Sequence, residues 1–187
     1  GSIGSRHARN LVEMRHKVWG YDPDLSQSAI PGVIRCSTIN PVFENSEAIV
    51  IASPTKLHFV HVRAAAKYKK QIFVEKPIAN ALGDAEIIAP RITMVGNNLR
   101  FHSCVKKAKE WLVEGLIGKP LWASFCVAQH NTKYTDPVVL NWGAHECDLA
   151  LYLLGPATVT AAAGDDRIMD VCLLHQYGVP STVHMDY

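Results

Sequence analysis

A short apolar run is followed by an acid, a lysine and a proline in the segment Gln71-Ile72-Phe73-Val74-Glu75-Lys76-Pro77. Three apolar residues between polar ones are typical of a buried strand in a parallel sheet. Ligands of open parallel sheets bind at the carboxyl ends of the strands, so Lys76 is a candidate active-site cation. The alternative is a surface lysine paired with Glu75. The Lys76–Pro77 bond is a candidate for the cis form.

A second candidate site opens the sequence, where Gly1 and Gly4 have the spacing of the last two glycines of Gly-x-Gly-x-x-Gly. That turn brings backbone N–H groups and a helix N-terminus to a pyrophosphate. The first glycine of the motif and the strand before it are absent, so an unstructured Gly-Ser start is the alternative.

An acidic residue supports the dinucleotide interpretation. Asp22 follows these glycines after about 20 residues, where the dinucleotide fingerprint expects an acid that binds the adenosine ribose hydroxyls. Asp22-Pro23-Asp24 is also a good turn sequence, and both roles can hold together. A carboxylate at this position would repel a 2′-phosphate, so we expect NAD rather than NADP.

A further buried strand is predicted over 48–52, an apolar run rich in β-branched residues. It ends at Ser53-Pro54-Thr55, and a helix is predicted over 56–68. We expect Thr55 and His58 to face the same strand-end edge, with His58 as a cofactor contact or a helix cap. His58 and His61 have the spacing of a metal pair, but no third ligand is evident, so we predict no metal site.

Strands and helices alternate in the first half, with further predicted strands over 16–21 and 94–98. The second half contains predicted helices over 103–114 and 142–154 and four predicted strands, three of them alternating like antiparallel strands, over 120–128, 157–163, 169–175 and 181–187. This order predicts a dinucleotide-binding half followed by an α+β half.

Several connections are shorter than a parallel crossover requires. Only residues 82–89 can form a helix between two predicted strands, and eight helical residues span about 12 Å. We therefore expect that residues of a longer chain are omitted near Leu25–Pro31, Ala89–Ile92 and Asn131–Leu140.

Composition excludes several function classes. The chain has 187 residues, 48% hydrophobic and 19% charged, with a net charge of +2 and no basic tract, so nucleic acid and membrane surfaces are not expected partners. No apolar run has the length of a bilayer-spanning helix. The five cysteines are scattered and include no Cys-x-x-Cys pair, which predicts reduced thiols and a cytoplasmic location.

Together these motifs resemble the Gfo/Idh/MocA oxidoreductase family over nearly the whole chain. The resemblance rests on the motifs Gly1-Ser2-Ile3-Gly4-x-Arg6-His7, Ala52-Ser53-Pro54-Thr55 with His58, Glu75-Lys76-Pro77, Gly96-Asn97-Asn98-Leu99-Arg100-Phe101-His102, Gly115-x-Ile117-Gly118, and His145-Glu146-x-Asp148 before Leu153-Leu154-Gly155.

The resemblance implies an α/β fold with two domains. We expect an N-terminal Rossmann NAD(P)-binding domain over 1–101, lacking its first strand, and an incomplete C-terminal α+β domain over 102–187 with a mostly antiparallel open sheet. The family's C-terminal sheet often builds oligomers, so a homo-oligomer is expected. Its substrates are usually sugars, nucleotide sugars, cyclitols or related polyols. The cofactor-binding residues expected from these motifs are Gly1, Ile3, Gly4, Asp22, Ser53, Pro54, Thr55, His58, Glu75 and Lys76.

Two residues match the family's active-site motifs. Lys76 matches its lysine, and His145 matches the histidine of its Asp-x-x-x-His pair, although Asn141 replaces the aspartate here. We expect His145 to be the base that takes the substrate hydroxyl proton and Lys76 to stabilise the developing alkoxide. The alternative for His145 is a solvated pair with Glu146 or Asp148, and Asp148 could orient the imidazole or bridge to another element.

Three further residues are expected at the substrate. Asn98 and Arg100 are candidates for orienting substrate hydroxyls, and Arg100 also suits a carboxylate or phosphate. Asn141 is the third. The expected activity is hydride transfer between a nicotinamide cofactor and a sugar, nucleotide-sugar or cyclitol alcohol. Because Asn141 departs from the family pattern, the alternative is a weak or inactive dinucleotide-binding sensor or assembly protein of the same fold.

Overall fold

The computed structural model describes residues 1–24, 28–129 and 137–187. The chain forms two compact units, Gly1–Gly96 and Asn97–Tyr187. We had expected the boundary after residue 101, whereas the structure assigns the short 3-10 turn Asn98–Phe101 to the second unit. Each described helix is too short or too polar to cross a bilayer.

The first unit alternates strands with helices, as the sequence predicts. In chain order its elements are α1 (Ser2–Glu13), β1 (Val18–Gly20), β2 (Val33–Arg35), α2 (Asn40–Asn45), β3 (Ala48–Ile51), α3 (His58–Ala66), β4 (Gln71–Val74), α4 (Leu82–Ile88) and β5 (Met94–Val95).

Parallel pairing organises this unit. Strands β3, β4 and β5 form a sheet in that order, and β1 pairs with β2 separately. Alternate residues of β3 and β4 are buried and form the core together with Val62 and Ala65 of α3 and Ile88 of α4. Because the three strands are parallel, their carboxyl ends lie at one edge, where Lys76 follows β4.

The sequence did not predict β2 and α2. Strand β2 has three residues and none of them is buried, while α2 has six residues, of which only Phe43 is buried. Elements this short show too few periods of the hydrophobic pattern to be recognised.

The expectation of omitted residues stays a prediction. Near Ala89–Ile92 the chain forms a 3-10 turn, Ala89–Arg91, directly after α4. The other two segments include residues 25–27 and 131–136, which lie outside the described ranges.

The second unit is an α+β arrangement, which confirms the expected fold class. Its elements are α5 (Ser103–Val113), β6 (Ala123–Ala128), α6 (Val138–Asn141), α7 (Gly143–Leu154), β7 (Ala157–Gly164), β8 (Ile168–His175) and β9 (Pro180–Asp186).

The sheet of the second unit has the order β6-β9-β8-β7 and is antiparallel except for the parallel pair β6–β9. Its inward side chains, including Val171, Val183 and Met185, pack with Ala150 of α7 and Val138 of α6. A Cβ atom on Gly143 would lie 2.7 Å from the sulfur of Met185, so a residue without a side chain is needed where α7 begins against β9.

Helix α7 carries acidic and thiol groups that are partly removed from water. Burial raises the pKa of Glu146. Burial also raises the pKa of the Cys147 thiol, and the neighbouring carboxylates of Glu146 and Asp148 raise it further. The charged form of Glu146 is therefore less stable in the folded chain than in water.

The Glu146→Gln variant tests the free-energy cost of holding the charged Glu146 carboxylate in the folded chain. A raised carboxyl pKa means that the folded state binds the proton more tightly, so its contribution to stability is present at low pH and is lost as the pH rises through the folded pKa. We expect the variant to have a larger free energy of unfolding than the wild type at about pH 7.5 and no such advantage at about pH 4, measured by urea denaturation. Glu114→Gln, at an exposed position, is the control. An equal effect of Glu146→Gln at both pH values would contradict the prediction.

Candidate active site

The start of α1 lies at the carboxyl edge of the first unit's strands. The position of a Cβ atom on Gly4 is 3.5 Å from the Cβ of Ala52, the residue directly after β3. No side chain caps the start of α1, and its first turn contains no acidic residue. The positive end of the helix dipole therefore faces the edge where an anionic ligand could bind.

Asp22 lies beside this helix start, as expected. Its Oδ2 atom accepts from the terminal ammonium of Gly1 at 2.5 Å, and its Oδ1 atom accepts the Asp24 N–H at 3.0 Å. These two hydrogen bonds lower the pKa of Asp22. The carboxylate is thus an ionised acceptor next to the glycine turn, and it also serves the Asp22-Pro23-Asp24 turn, so both of its predicted roles are compatible with the geometry.

The turn after β3 presents a hydroxyl and an imidazole. The Ser53 Oγ atom lies 2.9 Å from Nδ1 of His61. Burial, and then the charge of His58, lower the pKa of His61. Pro54 is exposed, and Thr55 begins a 3-10 turn that runs to Leu57 and leads into α3.

His58 is the C-cap of the 3-10 turn Thr55–Leu57, and its contact with the cofactor stays a prediction. His58 is only 1% exposed, its Nε2 atom lies 2.9 Å from the Ser53 carbonyl oxygen, and its Nδ1 atom lies 2.9 Å from the Pro77 carbonyl oxygen. Leu57 occupies the N-cap position of α3. Both ring nitrogens contact backbone carbonyls, so this side chain joins two strand-end turns.

Lys76 lies at the carboxyl end of β4, and the Lys76–Pro77 bond is cis, as the sequence suggested. Glu75, directly before it, accepts from His7 of α1 with 2.6 Å between Nε2 and Oε1. The other Glu75 carboxylate oxygen, Oε2, lies 3.3 Å from the Lys76 backbone nitrogen, and the surface pairing of Lys76 with Glu75 stays open. Sequence reasoning gave His7 no role, since its partner is far away along the chain.

His145 lies in the first turn of α7. Its backbone nitrogen donates to the Trp142 carbonyl oxygen at 2.8 Å, and the His145 and Trp142 rings are 6.4 Å apart. Asn141 ends α6, so Trp142 separates it from α7. Trp142 nevertheless has helical backbone angles, φ −83° and ψ −39°, and its carbonyl oxygen accepts from the Glu146 N–H, so the chain stays helical between Asn141 and His145.

Asp148 forms a bridge within the second unit. Its oxygens accept from Nε and Nη2 of Arg100 at 2.8 and 2.5 Å and from Nδ2 of Asn97 at 2.6 Å. Of the two predicted roles for Asp148, these contacts correspond to the bridge. The hydrogen bonds to Asp148 raise the pKa of Arg100, whose guanidinium also lies 5.1 Å from the centre of the Tyr152 ring.

Two of the expected substrate residues, Arg100 and Asn98, differ in their surroundings. Two guanidinium nitrogens of Arg100 are engaged with Asp148, whereas Asn98 is exposed in the same 3-10 turn. Ile3 is exposed in the first turn of α1. Within residues 1–24, 28–129 and 137–187, no three His, Cys, Asp or Glu side chains come together to hold a metal ion.

The residues of the first unit fit a dinucleotide. An uncapped helix N-terminus suits a pyrophosphate, and the ionised Asp22 beside it suits ribose hydroxyl groups. Both features lie at the strand edge from which Lys76 leaves.

Comparisons with known proteins agree with this geometry. The chain is 31% identical over 144 residues to scyllo-inositol 2-dehydrogenase (NAD(+)) of Bacillus subtilis, covering 71% of this chain and 42% of that protein. It is 26% identical over 191 residues to myo-inositol 2-dehydrogenase of Thermotoga maritima, covering 91% of this chain and 57% of that protein. The chain therefore spans about half the length of these relatives.

The fold is similar to that of solved structures. The WlbA dehydrogenase of Bordetella pertussis, in complex with NADH and UDP-GlcNAcA, superposes with a TM-score of 0.86 at 17% identity, covering 100% of this chain and 68% of that one. The family model described as an oxidoreductase family with an NAD-binding Rossmann fold matches residues 1–100. Since this match covers more than half of the chain, the protein belongs to the Gfo/Idh/MocA oxidoreductase family.

Proposed function

We propose that this chain is the cofactor-binding and catalytic part of an NAD-dependent dehydrogenase that oxidises a CH–OH group of a sugar, nucleotide sugar or cyclitol. The observation that carries the proposal is the position of Lys76. It follows β4 at the edge where the start of α1 and Asp22 also lie.

Cofactor binding is assigned to the first unit. The N–H groups at the start of α1, around Gly1, Ile3 and Gly4, would hold the pyrophosphate, and Asp22 would accept from the ribose hydroxyls. An ionised Asp22 disfavours a 2′-phosphate, which supports NAD over NADP. Ser53, Pro54 and Thr55 would line the same edge. When bound, NAD supplies the hydride acceptor.

The proton chemistry is assigned to His145 and Lys76. The imidazole of His145 takes the hydroxyl proton, because its protonation range lies near neutral pH. The Lys76 ammonium stabilises the negative charge that develops on the substrate oxygen.

The proposed substrate class follows from the relatives. Two of them are named as dehydrogenases of inositols, and the solved relative contains a nucleotide sugar. Such substrates carry several hydroxyl groups that Asn98, Asn141 and the remaining donors of Arg100 could bind. A carboxylate or phosphate on the substrate would suit Arg100 in particular.

Asn141 favours a second candidate function, dinucleotide binding without turnover. An aspartate at this position would accept a hydrogen bond as an anion, whereas the amide of Asn141 carries no charge that could strengthen the base. NAD binding without NADH formation on a panel of cyclitols, sugars and nucleotide sugars would support this alternative. Steady NADH formation with any of them would exclude it.

We also propose that the protein works as a homo-oligomer in the cytoplasm. The five cysteines are free thiols, which suits a reducing compartment. The outward face of the second unit's sheet carries Ser124, Thr182 and Cys172 side by side on β6, β9 and β8, next to the pair of His184 with Asp170. A face of this kind can pack against a second copy of the chain.

Replacing Lys76 with alanine should reduce kcat by about 10²–10³-fold, because the positive charge acts on the developing alkoxide. We expect the dissociation constant of NAD, measured by fluorescence titration, to change by less than about threefold. Lys67→Ala, an exposed position directly after α3, is the control. Equal losses of NAD affinity and turnover would show that Lys76 binds NAD and does not stabilise the alkoxide.

Replacing His145 with asparagine should remove the limb near neutrality from the pH–rate profile, because the variant lacks a group that titrates there. The measurement is kcat/KM against pH with the best substrate of the panel. His102→Asn, at an exposed position before α5, should keep that limb. A retained limb in His145→Asn would assign the base to another residue.

The oligomer proposal predicts that the wild type sediments as a multiple of its 20.6 kDa chain. Thr182→Arg, in the strand between β6 and β8, should shift the distribution toward the monomer, because an arginine on the outward face would have to be buried at the interface. Glu114→Arg, at the exposed end of α5, is the matched control for sedimentation velocity. A monomeric wild type would refute the proposal.

A further inference from the structure

We propose that His7 and His58 are positioning residues for Lys76, each holding the residue on one side of it. This inference rests on the proposed function of Lys76 as the group that stabilises the substrate oxygen. The two histidines come from different helices, α1 and α3, and neither needs to touch the substrate.

The first contact holds the residue before the lysine. His7 lies in α1, and its Nε2 atom is 2.6 Å from Oε1 of Glu75. The His7 ring also packs edge-on against Phe73, with 5.2 Å between ring centres. Phe73 and Glu75 are two residues apart and therefore lie on the same side of the chain as it leaves β4. The imidazole thus contacts that side of the segment at two points.

A glycine completes the site of the Glu75 carboxylate. A Cβ atom on Gly96, directly after β5, would lie 2.8 Å from Oε2 of Glu75 and 3.1 Å from Oε1. The carboxylate therefore occupies the space that a side chain at position 96 would need. Its Oε2 atom also lies 3.3 Å from the Lys76 backbone nitrogen, so the held carboxylate reaches the lysine's own backbone.

The second contact holds the residue after the lysine. The Nδ1 atom of His58 lies 2.9 Å from the Pro77 carbonyl oxygen, and its Nε2 atom lies 2.9 Å from that of Ser53. A carbonyl oxygen can only accept, so a hydrogen bond at either contact is donated by the ring. His58 is buried, so water cannot replace these bonds without rearrangement.

These contacts fix the backbone on both sides of Lys76. Displacing a reacting group by about 1 Å can lower the rate about 10²-fold. A flexible side chain such as that of Lys76 is therefore placed more accurately when its backbone is fixed. Since α1 also begins at the proposed pyrophosphate site, His7 connects the cofactor-binding helix to the lysine turn. The histidines should therefore influence kcat more than cofactor affinity.

The kinetic test compares His7→Leu, which removes the hydrogen bond, with His7→Gln, which keeps a donor of similar reach. We expect His7→Leu to lower kcat by about 10–10²-fold with KM and the NAD dissociation constant within about threefold of wild type. His7→Gln should recover most of the loss. His16→Leu, at an exposed position after α1, should be neutral. Equal kcat values for His7→Leu and wild type would overturn the proposal.

A second measurement does not depend on turnover. The rate of acylation of Lys76 by an N-hydroxysuccinimide ester is measured by mass spectrometry in the full chain without NAD, relative to Lys67 in the same sample. A released turn should expose the half-buried lysine more often, so we expect about threefold faster labelling in His7→Leu and in His58→Gln. Unchanged labelling in both variants would overturn the proposal.

The two variants and two measurements separate the possible failures. If His58→Gln does not fold, the labelling rate of His7→Leu alone tests the proposal. The His7 ring is partly exposed, so its loss leaves the core intact. If the wild type oxidises no polyol, the proposed function fails, whereas the labelling comparison still tests the positioning.

Discussion

The first unit depends on a constraint that parallel pairing imposes on its strand ends. The carboxyl ends of β3, β4 and β5 meet at one edge, where the chain must turn and the ladder of backbone hydrogen bonds stops. The backbone groups of these turns need other partners, since a buried polar group without one costs about 1–3 kcal/mol. Here His58 and Glu75 supply such partners and His7 holds the Glu75 carboxylate, so the turn that carries Lys76 is restrained.

The same polar groups restrain the turns at the carboxyl edge of the sheet. His58 uses both ring nitrogens to join the turns after β3 and β4, so these turns behave as one structural element. Glu75 is held between His7 and the space at Gly96. Side-chain contacts thus restrain the backbone on both sides of Lys76.

A hydrogen-bonded carboxylate also restrains a helix of the second unit. Helix α7 carries His145 near its start and Asp148 one turn later, and Asp148 bridges to Arg100 and Asn97. A carboxylate that accepts three charge-assisted or amide hydrogen bonds holds α7 against the segment around Arg100. In both units, an ion pair or hydrogen-bonded pair restrains the segment that carries the candidate catalytic residue, Lys76 in the first unit and His145 in the second.

Much of the fold could be predicted from local patterns. The runs of β3 and β4, the helical spacing of α5 and the alternation of β7 to β9 are long enough to show their period. Short elements such as β2 and α2 could not be recognised, because three to six residues with at most one buried side chain carry no period.

The sequence alone determined which residues are candidates for catalysis and binding. It also determined at which end of its strand Lys76 lies, because an apolar run and the direction of the strand are local properties. It could not determine which polar side chains meet. His7 and Glu75 are 68 positions apart, and only the packing of α1 beside β4 brings them together. For the same reason, the tertiary structure decided that His58 is a buried link between two turns and that Arg100 pairs with Asp148.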